Sequence, residues 1–133
     1  MKRYEVLEHT ADLKIRAFGK TKEELFESSL FAMTEEMRPE LDRKEIKTEI
    51  TVKSSDLSAL LVDFLGEALY QSQVNKAVYN KVTFEEFEEK EIKAVISGKK
   101  VKRIGLDIKA VTYHELEVSQ TKDGWQAIVL FDI

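Results

Sequence analysis

The sequence predicts an α+β fold, and three observations carry that expectation. Two stretches, 21–37 and 55–69, space their apolar residues at helical intervals. Most of the remainder alternates apolar and polar residues with a period of two. The two kinds are interspersed without the strict strand–helix–strand repeat of a parallel α/β fold. The expected architecture is a mixed or antiparallel sheet with two main helices packed on it. At 133 residues the chain most simply makes one domain, 1–133.

Taken in order, YEVLEH and ADLKIRAFG open the chain as a strand pair. In the second of these, Leu13, Ile15 and Ala17 alternate with Lys14 and Arg16, the pattern of a half-buried strand. Thr21 opens a helix, and Glu24 three residues on completes a capping box. Phe26, Leu30, Met33 and Met37 form its apolar stripe, and Pro39 ends it. Ile46, Thr48, Ile50 and Val52 alternate with charged or polar neighbours as another strand. Ser55 or Asp56 caps a second helix, whose broad stripe (Leu57, Leu60, Leu61, Phe64, Leu65, Ala68, Leu69) marks it as the main helix on the sheet. From 78 onward the pattern is β: VYNKVTF, EIKAVIS, GLDIKAVTYHELEVSQ and WQAIVLFDI. Asp123-Gly124 predicts a hairpin between the last two.

Composition narrows the function classes. Hydrophobic residues at 43% and charged residues at 35% suit a soluble globular protein with a densely charged surface. The net charge of -4 argues against a large nucleic-acid-binding face, which needs clustered positive charge. There is no cysteine, so disulfides, thiolate metal sites and cysteine nucleophiles are excluded. No signal-type apolar run opens the chain and nothing approaches the ~20 apolar residues of a membrane span, so a cytoplasmic location is expected. Glycine-rich phosphate loops, GxSxG, HExxH and dinucleotide fingerprints are all missing.

A few residues remain as candidates for chemistry. EHTAD at 8–12 is a turn without Gly, Asn or Pro that carries Glu8, His9 and Asp12 instead. His9 and His114 are the only histidines, too few for a zinc site unless carboxylates supply the rest; hydrogen-bonded structural roles are the alternative. The last strand ends in Asp132 and Ile133, level with Ile108-Lys109 in the hairpin. If that strand also lies beside the first, Asp12 approaches Asp132. Such a group of anionic oxygens calls for a hard divalent cation. Otherwise Asp132 is a solvated chain end. Lys109, read as mid-strand, shares a face with Val111 and Tyr113 and either snorkels to water or pairs with a carboxylate. FEEFEEKE at 84–91 reads as a solvated turn, or as a docking face for a basic partner.

EHTAD at 8–12, LLVDFLGEALY at 60–70, IKAVTYH at 108–114 and the final DI at 132–133 together resemble the archease family, in the family's order and over nearly the whole chain. The resemblance implies a strand-helix-strand-strand core elaborated by an inserted segment. It also implies an accessory factor for RtcB-type RNA ligases in tRNA splicing and RNA repair, one that promotes guanylylation of a ligase histidine and so permits multiple turnover. RNA is then met only through the ligase, and no membrane is involved. Carried over by motif, the metal ligands would be Asp12, Asp132 and Ile133, holding calcium, with magnesium or manganese as alternatives. Lys109 and His9 would be further functional positions. The basic segment SGKKVKRIGLD, 97–107, is a departure: many members carry a longer, more acidic or His-containing stretch there, so partner contacts in this expected loop do not carry over.

Three functions are therefore carried forward. The first is the non-enzymatic ligase activator. The second is a metal-dependent phosphoesterase using the same carboxylates, with no base beyond His9. The third is a general chaperone or scaffold whose contact surface is the acidic run at Glu85, Glu86, Glu88 and Glu89.

Overall fold

The computed structural model describes residues 2–8 and 11–133. The elements run β1 (Tyr4–Leu7), β2 (Leu13–Gly19), α1 (Lys22–Glu36), β3 (Pro39–Lys53), α2 (Leu57–Asn75), β4 (Ala77–Phe87), β5 (Glu91–Ile104), β6 (Ala110–Thr121) and β7 (Gly124–Asp132). They form two antiparallel sheets, ordered β1-β2-β7-β6 and β3-β5-β4. The α+β expectation holds, with two sheets where one was expected. Setting aside the edge strand β1 and the run β3, α2, β4 and β5 leaves β2, α1, β6 and β7, a strand-helix-strand-strand core into which the second sheet and its helix are inserted.

Both helices begin where side chains can accept their orphan amides. Thr21 Oγ1 accepts from Glu24 N at 3.1 Å, and Asp56 Oδ1 accepts from Ala59 N at 2.8 Å. Helix α2 ends at Lys76, held left-handed at φ 50. Each helix touches both sheets: α1 lies on β2 and β7 and on β4, while α2 lies on β6 and on β3, β4 and β5. Burial therefore wraps around α1, taking in Ser28, Ser29 and Thr34 beside Phe26, Leu30 and Met33. Ser29 and Thr34 satisfy their hydroxyls on the carbonyls of Leu25 and Tyr79. No described helix is long and apolar enough to cross a membrane.

Three segments differ from the sequence expectation. FEEFEEKE is not a solvated turn through its length, because β4 continues to Phe87. Phe84 and Phe87 lie three apart, which would put them on opposite faces of a regular strand. A register shift between Phe84 and Glu86 turns both inward, where their rings meet at 5.1 Å and reach Phe64 and Phe26 at 6.1 and 5.0 Å. Glu85, Glu86, Glu88, Glu89 and Lys90 stay exposed. Second, the basic stretch 97–104 is not a loop; it is the second half of β5, paired to β3 and β4. Third, Lys109 is not mid-strand, since β6 begins one residue later. The last hairpin forms as expected, with Gly124 at φ 144, a conformation open to glycine.

Strand β1 is tied to the end of α1 by Tyr4, whose hydroxyl donates to Glu36 Oε2 at 2.8 Å. Burial first, and then that bond to a carboxylate, push the Tyr4 hydroxyl well above the usual phenol range. A group that holds its proton more tightly when folded stabilises the protein below its unfolded pKa, and that contribution is lost as pH rises through the folded value. Above about pH 10, the unperturbed phenol value, urea midpoints should fall, and Tyr4→Phe should shallow the fall. A second expectation concerns Gly98, where an added Cβ would sit 1.8 Å from the Val78 carbonyl oxygen. Gly98→Ala should cost at least the ~1–3 kcal/mol of core overpacking, against about 1 kcal/mol for Thr21→Ala, both read from urea denaturation.

Candidate functional site

Pairing of three strands assembles the site. Leu13 is the β-partner of Phe131, and Ala110 that of Asp132. Asp12 immediately precedes Leu13 and Asp132 immediately follows Phe131, so the two aspartates flank the same rung at one end of the first sheet. In-register residues of such a ladder lie about 5 Å apart at Cα. The strand beside β7 on this side is β2, not the first strand of the opening pair. Ala11 is left-handed at φ 69, which turns the chain into β2. Asp12 is half-buried and Asp132 exposed; Ile133 is 40% exposed.

Lys109 reaches the same end, but by its main chain: its N–H donates to the Asp132 carbonyl at 2.8 Å. Its side chain is exposed. His9 lies outside the described residues. His114 is exposed, with its N–H directed to Thr112 Oγ1 at 3.3 Å. The structure thus brings Asp12, Asp132, Ile133 and Lys109 to one sheet end. Among the described residues no three His, Asp or Glu side chains gather around one point. The oxygens on offer here are carboxylate and main-chain carbonyl, a donor set that suits a hard divalent cation rather than a soft metal.

Beside this end, β6 carries a bulge that the sequence reading missed. The register jumps between Thr112 and Glu117, and Glu115 is left-handed at φ 55. Lys14 of β2 pairs with Glu115 at 3.5 Å, across the top of β7. Tyr113, 57% exposed, is tethered because its hydroxyl donates to Asp63 Oδ1 on α2. That bond to a carboxylate, ahead of burial, raises the Tyr113 hydroxyl above its ordinary pKa. The other Asp63 oxygen accepts from Ser54 Oγ at 2.7 Å, so one carboxylate ties α2 to the bulge and to the end of β3. A signal was present: apolar residues move from odd positions (Val111, Tyr113) to even ones (Leu116, Val118), and the 12-residue β6 pairs with a 9-residue β7.

Comparison with known proteins places this geometry in a family. The model of the Archease protein family (MTH1598/TM1083) matches residues 4–133. The archease of Methanosarcina mazei is 43% identical, covering 99% of this chain and 97% of its own. That of Pyrococcus furiosus is 32% identical over the full length of both. Among solved structures, protein 1598 of Methanobacterium thermoautotrophicum superposes with a TM-score of 0.73 at 28% identity and complete coverage of both chains. An archease from Thermotoga maritima, described as a possible chaperone, gives 0.70 at 25% identity over 96% of this chain and 94% of that one. This chain belongs to the archease family.

Proposed function

We propose that this protein is a non-enzymatic, cytoplasmic activator of an RtcB-type RNA ligase in tRNA splicing and RNA repair, promoting guanylylation of the ligase and its multiple turnover. Family membership supports the reading. The observation that carries it is the shared rung that sets Asp12 and Asp132 at one sheet end with Ile133 and Lys109. In this reading Asp12, Asp132 and Ile133 hold a divalent cation, calcium by preference for its tolerance of irregular oxygen shells, with magnesium or manganese as alternatives. When bound, the cation supplies positive charge for phosphate oxygens. The chain's own residues prepare the place. The Lys109 N–H occupies the Asp132 carbonyl and fixes the strand end, while the exposed Lys109 ammonium faces solvent, where a partner's phosphates can meet it.

Asp12→Ala and Asp132→Ala should each weaken calcium binding by ~10-fold or more and abolish stimulation in a multiple-turnover ligation assay, with the circular dichroism spectrum unchanged. Wild-type stimulation by either variant would sink the reading. Nucleotide hydrolysis by the purified protein, lost in Asp12→Ala, would favour the phosphoesterase instead. Reversing Glu85, Glu86, Glu88 and Glu89 tests the scaffold: weakened binding of many clients, with Asp12→Ala behaving normally, would favour it.

A further inference from the structure

The activator site leaves one feature of the molecule unused, the basic stretch SGKKVKR at 97–103. Because β5 runs through it as the central strand of its sheet, the flanking strands bring further lysines alongside. Ser97 is the partner of Lys47 on β3 and of Lys81 on β4, so the three residues lie across one rung and share a face. Lys99, two residues along β5, returns to that face by alternation. With strands about 4.8 Å apart, Lys47 and Lys81 are rooted about 10 Å from each other, and Lys99 about 7 Å from Ser97. Long lysine side chains close such gaps onto a common anion.

Lys47, Lys81 and Lys99 line a cleft of about 380 Å³ together with Asn80, Ser97 and Gly98, within the ~300–1,000 Å³ range of ligand sites. None of the three lysines forms an ion pair among the described residues. All three are exposed. Glu35 and Glu45 also line the cleft, and Glu45 is the β-partner of Lys99, so the lysines outnumber the carboxylates without excluding them. No aromatic ring is among the lining residues, so base stacking is not on offer and anion contacts are what remain. Like charges crowded on one face repel, and a multiply charged anion relieves that repulsion.

We propose that this cleft binds a run of phosphates, either the polyphosphate of a free nucleotide or the sugar-phosphate backbone of a single strand. The site is on the second sheet and separate from the Asp12–Asp132 end of the first. Its test uses this protein alone, so its failure leaves the ligase reading untouched. Binding of a labelled single-stranded oligoribonucleotide is measured by fluorescence anisotropy across a salt series, and binding of GTP and of inorganic triphosphate by calorimetry. Three lysine–phosphate contacts on a single strand predict a log–log salt slope of about -2, and Lys81→Ala should lower its magnitude by about 0.7. Lys47→Ala/Lys81→Ala/Lys99→Ala should lose at least ~10-fold in affinity, and Glu45→Gln should gain affinity, with melting temperatures near wild type because these side chains are exposed. Binding of RNA without triphosphate identifies the backbone as ligand, and the reverse identifies the nucleotide. If neither probe binds, or the triple variant binds as wild type, the proposal is overturned.

Discussion

The pairing of β2 with β7 is the constraint on which the molecule depends. It joins residues 13–19 to 125–131, closing nearly the whole chain into one loop. Closing long loops costs only logarithmically more than closing short ones, and the cost is offset by what the pairing buries. Leu13, Ile15 and Ala17 stand beside Phe131, Val129 and Ala127, all buried and all on the face turned to α1. A slip of one residue would carry this whole set to the opposite face. The proximity of Asp12 and Asp132 is therefore imposed by core burial next to them. Two like charges would not choose it for themselves.

The inserted second sheet is tied to the first through the helices and through aromatic side chains. Phe26 of α1 meets Phe64 of α2 at 5.6 Å and Phe87 of β4 at 5.0 Å, so one ring bridges three elements. Buried aromatic pairs of this kind contribute about 0.5–1.5 kcal/mol beyond their area. The link back to the first sheet is polar as well: Asp63 on α2 accepts from Tyr113 on β6 and from Ser54 after β3. The bulge that presents Tyr113, His114 and Glu115 is thus pinned from below by α2 and from the side by Lys14.

Register irregularities recur wherever this protein places a side chain against simple alternation. The shift at Glu85 turns two phenylalanines inward, the shift at Asn80 brings Lys81 level with Ser97, and the shift after Thr112 lifts the segment beside Asp132. Each is one local departure from the pleat with a consequence for the surface. The two sheets carry regions of opposite character, a carboxylate end on the first and a lysine cleft on the second.

By itself the sequence determined both helices, the cap at Thr21 and a second cap at Ser55 or Asp56, which the structure resolves as Asp56, with the half-buried β2 and the closing hairpin, because period, cap and turn chemistry are local and need no neighbours. Asp12, Asp132 and Lys109 were legible as residues of interest through motif likeness, and the meeting of Asp12 with Asp132 could be stated only as a condition on strand pairing or as what that likeness implies. Tertiary structure alone decided that neighbourhood, since it depends on the pairing of strands more than a hundred residues apart in sequence. It also decided that strand continues through 85–87 and 98–104: bulges break the alternation by which strands are read, and charged side chains on an open sheet face look like loop until their partners are known. Asp63 and the three cleft lysines were invisible for the same reason, because their meaning lies in which strands and helix turns end up side by side.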